Sequence, residues 1–167
     1  RLRTLERAAR HVEAPLRIAE AAFEVFMEAR HRVTLYPDAL PMLDRLLGRL
    51  PLVALTNGNA DVHRIGMGHY FVAAHSAVEE GAAKPERPMF EAAASSTGVP
   101  LETLIHVGDD PVTDVAGAAR HGLRPVWLNR SGLPWPEGVP RVAFDEIRGL
   151  DELPGLLRRL RPDLQLS

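Results

Sequence analysis

Three short apolar runs, Leu52-Val53-Ala54-Leu55, Leu104-Ile105-His106-Val107 and Pro125-Val126-Trp127-Leu128, each stop at a polar turn that contains glycine. Apolar runs this short have the profile of strands buried on both faces. A weaker extended stretch covers about Ala73–Val78. Helical patterns lie between them at roughly Asp61–Ile65, Arg87–Thr97 and Val112–His121, the last stopped by Gly122, and a final helix covers about Leu150–Leu160. Helices alternating with buried strands predict an α/β domain with a mainly parallel sheet. The Gly/Pro-rich stretch Gly132–Pro140 reads as a surface loop.

The first 36 residues are different in kind. Leu2, Leu5, Ala8, Ala9 and Val12 recur at helical spacing, and after Pro15 so do Ile18, Ala22, Val25, Phe26 and Ala29. Two helices joined near Glu13–Pro15 follow, too few to enclose a core alone. A third helix is expected from Pro37-Asp38 to about Leu50, proline being suited to a first helical turn. Composition then excludes several classes. There is no cysteine, hence no disulfide framework, thiolate nucleophile or Cys-ligated metal. A net charge of −2 gives no basic field for nucleic acid. No run approaches membrane-spanning length and no targeting segment is visible, so the expectation is a soluble, cytoplasmic protein without a membrane partner. Nothing fixes an oligomeric state.

Ligands of open α/β sheets bind beyond the carboxyl ends of the strands. After the first run stand Thr56-Asn57-Gly58-Asn59: a hydroxyl, an amide and a glycine that lets backbone N–H groups approach an anion. The same residues are also ordinary turn chemistry. After the second run comes Gly108-Asp109-Asp110-Pro111-Val112-Thr113-Asp114. Carboxylates this close repel unless a cation compensates them, and magnesium uses such groups together with water and phosphate oxygens. Helix capping by Asp109 or Asp110, with Pro111 in the first turn, accounts for part of the cluster. Lys84 is the single lysine in a chain whose Lys and Arg total 20. It precedes Pro85, which disfavours helix at Lys84 and puts it in a loop. A compact ammonium fits where a planar guanidinium does not, between a phosphoryl group and a carboxylate.

In this order and spacing, Thr56-Asn57-Gly58-Asn59, Lys84-Pro85 and His106-Val107-Gly108-Asp109-Asp110 through Asp114 resemble the second, third and fourth motifs of the haloacid dehalogenase (HAD) superfamily. The detail is most similar to the YigB-like bacterial phosphatases. The resemblance implies a Rossmann-like α/β core over residues 37–167, with residues 1–36 as part of a helical C1-type cap. It implies Mg²⁺-dependent hydrolysis of a small phosphorylated metabolite through an aspartyl-phosphate. Flavin mononucleotide and 5-amino-6-(5-phosphoribitylamino)uracil are the leading substrate candidates. Carried over by residue, Thr56 would bond a phosphoryl oxygen and Asn57 would position the phosphate or leaving group, with Gly58 in the same anion-binding turn. Lys84 would neutralise the phosphoryl group and hold the nucleophile's carboxylate. Asp109 would bind magnesium, and Asp114 would support the metal's waters or Lys84. Asp110 would orient the loop.

One departure is large. The superfamily's first motif, Asp-x-Asp, occurs nowhere in these 167 residues. In the family's fold it lies on a central strand, between those ending at Thr56 and Val107. The expectation is therefore that the sequence is part of a longer protein, with the nucleophile outside it and with little activity in these residues alone. Two alternatives share the fold: a non-catalytic phosphate-binding or regulatory remnant, and a dehalogenase proper, which needs no magnesium. A receiver domain has its acids first and Lys-Pro last, the reverse of the order here. Gly66-Met67-Gly68 lacks the third glycine of a dinucleotide site. His106 reads as a satisfied core residue, and His63 and His69 as possible substrate contacts at the site edge. The other histidines form no metal-ligand pair.

Overall fold

The computed structural model describes residues 2–163. Helices α1 (Leu2–His11) and α2 (Leu16–His31) pack on each other, the chain reversing through Glu13 at φ 54°. Their expected apolar stripe is largely open: Val12, Ile18 and Val25 are exposed, while Ala9 and Ala19 are buried between the helices. The third helix, α3 (Ala39–Leu46), is shorter than its pattern suggests. Asp38 stands at its N-cap position without capping it. The Asp38 carboxylate instead accepts both Arg130 guanidinium N–H groups, at 2.8 and 2.9 Å, and the Leu150 N–H at 2.8 Å. Helix entry is thus set by a tether to the far end of the chain.

Strand β1 (Val53–Thr56) pairs in parallel with β2 (Ala73–Ser76), and β3 (Ile105–Gly108) with β4 (Arg124–Leu128), which pairs in parallel with β5 (Asp145–Ile147). The expected parallel α/β architecture is present, but as two sheets, ordered β1-β2 and β3-β4-β5. One corner of the expectation fails. β4 is buried through Pro125, Val126 and Trp127, whereas β1 and β3 are only half-buried. Each of those two has a single strand partner among the described residues, and that is the physical reason.

Side chains alternate across the layer, as the pleat requires. Leu52, Ile105, Val107, Val126 and Leu128 meet Met42 and Leu46 of α3 and Leu153, Leu156 and Leu157 of α7 (Leu153–Leu160). On the opposite face Leu55 and Leu104 pack around Phe90 of α5 (Arg87–Thr97), Ala118 and Leu123. With the residues just ahead of them, Leu52 and Leu104, β1 and β3 therefore reach both cores although the strands are not hydrogen-bonded to each other.

Other elements differ in detail. Helix α4 is one turn (Ala77–Glu80) with a Ser76–Glu79 capping box. Asp61–Ile65 forms turns rather than a helix, ending at Gly66 with φ 80°. Pro111–Ala116 is wound as a π-helix before α6 (Gly117–Arg120). Trp135, in the expected surface loop, stacks on Phe144 and meets Trp127 edge-on. Among the described residues no helix is long and apolar enough to cross a membrane.

Candidate active site

Thr56 ends β1, Gly108 ends β3, and Lys84 comes from the loop ahead of α5. The lysine and the acidic turn converge as the sequence suggests. Lys84 Nζ donates to Leu55 O at 3.1 Å and lies 2.8 Å from Asp114 Oδ1. Both side chains are almost closed to water, at 11% and 6% exposure. His106 Nε2 donates to the same Asp114 oxygen at 3.0 Å, and the Asp110 N–H donates to Oδ2 at 3.1 Å. Burial pushes the Asp114 carboxyl up, but the hydrogen bonds from His106 and Lys84 outweigh it and hold the group well below the usual carboxylate range.

His106 is thus more than a core filler, and here sequence reasoning misses a site residue. Its place on β3 carries the signal: it shares a face with Leu104, which looks toward α5, and its ring meets Phe90 edge-on at 5.3 Å. Gly108 also does more than end a strand. A Cβ there would lie 2.5 Å from Asp114 Oδ2, so a glycine lets the buried carboxylate seat against the strand end.

Asn57 has a local task. Its Nδ2 donates to Lys84 O at 2.8 Å and its Oδ1 accepts the Lys84 N–H at 2.7 Å, so it clamps the lysine's own peptide groups. The Lys84–Pro85 peptide bond is cis. Thr56 Oγ1 accepts the Gly58 N–H at 2.9 Å, leaving its hydroxyl proton free to donate. Of the three carboxylates, Asp110 is a helix cap, its Oδ1 accepting from Val112 N and Thr113 N. Asp109 is exposed, its backbone oxygen fixed by the Trp127 indole N–H at 3.0 Å. His63 packs against Gly68, and His69 lies tilted against its neighbour Tyr70 with ring centroids 4.0 Å apart.

Among the described residues no three His, Asp or Glu side chains gather as a metal cage. Asp110 and Asp114 are committed elsewhere, which leaves Asp109 as the free carboxylate of the turn. That suits magnesium, which keeps several waters and takes one or two carboxylates plus substrate phosphate. A cavity of about 830 Å³ lies elsewhere, behind Pro85, and is lined mainly by apolar residues such as Val112, Val139 and Val142.

Parallel strands with a buried lysine–aspartate pair at their carboxyl ends place the chain in the Rossmann-like α/β class. A family model described as haloacid dehalogenase-like hydrolase matches residues 2–122. The chain belongs to that family. It is 39% identical over 110 residues to the 5-amino-6-(5-phospho-D-ribitylamino)uracil phosphatase YigB of Escherichia coli K12, covering 66% of this chain and 46% of that protein. It is 37% identical over 142 residues to a phosphoserine phosphatase of Thermus thermophilus, covering 81% and 57%. The chain thus spans about half the length of these curated relatives. Among solved structures, a 2-haloacid dehalogenase from Pseudomonas syringae pv. Tomato DC3000 superposes with a TM-score of 0.90 at 36% identity, covering 96% of this chain and 70% of that one.

Proposed function

We propose that the whole protein hydrolyses phosphomonoesters of small metabolites through an aspartyl-phosphate. The observation that carries this is the seating of Lys84 between Asp114 Oδ1 and Leu55 O, beside the Thr56–Gly58 turn. An ammonium with two bonds made has one N–H left for a phosphoryl oxygen. Asn57 fixes the lysine's backbone, while His106 and the Asp110 N–H fix the aspartate that orients it. Thr56 Oγ–H would donate to a second phosphoryl oxygen. Preorganised charge of this kind is the main contribution a protein makes to phosphoryl transfer.

The nucleophile would be a carboxylate from outside these residues, on a strand set between β1 and β3. Its oxygen bonds to phosphorus as the ester P–O bond breaks, and the leaving alkoxide takes its proton from a second carboxylic acid, also outside these residues, which later recovers one from the attacking water. Water then cleaves the acyl phosphate to orthophosphate and the free carboxylate. Asp109 would hold Mg²⁺, which when bound supplies positive charge to the phosphoryl oxygens. Helices α1 and α2 would form part of a cap over the site. The YigB and phosphoserine phosphatase relatives support a phosphorylated metabolite as substrate, with the ribitylaminouracil phosphate and flavin mononucleotide first to be assayed.

A second reading, hydrolysis of a carbon–halogen bond, is favoured by the likeness to the 2-haloacid dehalogenase. Two assays on the full-length protein separate them. Release of p-nitrophenol from p-nitrophenyl phosphate, dependent on Mg²⁺ and lost in Lys84→Met, supports the phosphatase. Chloride release from 2-chloropropionate without added metal, and no phosphatase activity, overturns it.

A further inference from the structure

The last turn of α2 is docked on the loop that follows β1. His31 Nδ1–H donates to Met27 O at 2.6 Å, and His31 Nε2 accepts the Asp61 N–H at 3.1 Å, a pair of bonds that a neutral imidazole makes with its proton on Nδ1. The residue before it, Arg30, is exposed, yet its guanidinium leans over the Thr56–Gly58 turn. Arg30 Nη2 lies 3.5 Å, and Thr56 Oγ1 3.2 Å, from the point where a Cβ on Gly58 would stand. The two groups therefore flank the same small space, which Gly58 keeps open.

Among the described residues nothing else claims this guanidinium. Glu28, two residues back on α2, is paired with Arg32. Among the described residues no carboxylate or carbonyl holds Arg30. Charge balance at the site also calls for another cation. A phosphoryl dianion with Asp109 and Asp114 outweighs Lys84 and a divalent ion together, before any nucleophile is counted. The planar fork of arginine matches phosphate oxygens, and in phosphoryl transfer such a residue counters the charge of the transition state.

We propose that Arg30 binds the substrate's phosphoryl group at the Thr56–Gly58 turn, carried there from the helical layer by α2 and held in place by the His31–Asp61 contact. This rests on the phosphomonoesterase reading above. It adds a substrate-contacting cation outside the strand ends, and it makes docking of α2 part of assembling the site.

The test compares full-length wild-type protein with Arg30→Met, Arg30→Lys and Lys84→Met. Hydrolysis of p-nitrophenyl phosphate and of glycerol 2-phosphate is measured, together with orthophosphate affinity by calorimetry. Arg30→Met is expected to weaken orthophosphate binding and to lower kcat/KM about 10-fold or more for both substrates alike. Arg30→Lys should recover part of each loss, because it restores charge but not the fork. Exposed and unpaired, Arg30 can be replaced with an unchanged melting temperature, and this serves as the folding control. If Arg30→Met matches wild type while Lys84→Met is inactive, the inference fails and the phosphatase reading survives. A loss confined to one substrate also overturns it, assigning Arg30 to the leaving group. If wild type neither turns over phosphomonoesters nor binds orthophosphate, both fall together.

Discussion

Lys84 sits where none of the chain's arginines would fit. Its ammonium meets Leu55 O and Asp114 Oδ1 from one nitrogen, in a space with 11% of the side chain exposed. A guanidinium is a broader planar fork, and it cannot take the place of the compact ammonium in this space without displacing its neighbours. Lys84→Arg is therefore expected to lower kcat on p-nitrophenyl phosphate by about 100-fold or more, with the charge retained. Asp114 makes a prediction about acid. Burial opposes its ionisation, but the bonds from His106 and Lys84 win, so its folded pKa lies below its unfolded one. The stabilisation is present above the unfolded value of about 3.9 and is lost as pH falls from there toward the folded pKa. Urea melts between pH 3 and 6 should show wild-type stability falling with acid and a flatter profile for Asp114→Asn. At this scale the lone lysine and the acidic turn are legible because residue type and spacing carry them. His106 is not, since a histidine in an apolar run reads as core until its strand face is matched to Asp114. The clamp by Asn57 is hidden too, because its partner is backbone, 27 residues away.

Elements show a similar division. Gly108 and the π-wound turn Pro111–Ala116 form one device: the turn folds Asp114 back against the glycine that ends β3. Gly108→Ala must push the carboxylate off its seat, costing about 1–3 kcal/mol as overpacking does, and should reduce turnover together with Lys84 placement. Thermal melts paired with kcat check both halves. Asp38 is the corresponding tether at α3. Burial counts against its charge less than the Arg130 hydrogen bond counts for it, and its pKa is lowered. Asp38→Ala leaves Arg130, stacked at 4.0 Å on Tyr36, and the Leu150 N–H without their acceptor. A loss of about 1–3 kcal/mol is expected in urea melts, discounted for partial solvent access. Helix α5 is readable to its ends because Pro88 and Gly98 punctuate it. Strand β5 is not: three residues with two acids carry no apolar run, and the strand is fixed by Asn129–Glu146 and Arg124–Asp145 contacts.

For the molecule as a whole, strand–helix alternation makes the fold class legible, whereas the division of the sheet shows only in the pairing of strands. Among the described residues β1 and β3 each keep one edge without a strand partner, and both strands are half-buried where β4 is closed. The proposed nucleophile-bearing strand would satisfy both edges, since β1 and β3, with Leu52 and Leu104 just ahead of them, already reach the same two cores. Half the amides of each strand point toward that edge, and amide exchange reads them directly. In residues 2–163 alone, β4 amides should exchange slowly and the edge-facing amides of β1 and β3 much faster. In the full-length protein those edge amides should become as protected as β4. If they exchange equally fast in both, no strand stands between the two sheets. The aspartyl-phosphate would then need a carboxylate delivered from some other direction than the sheet.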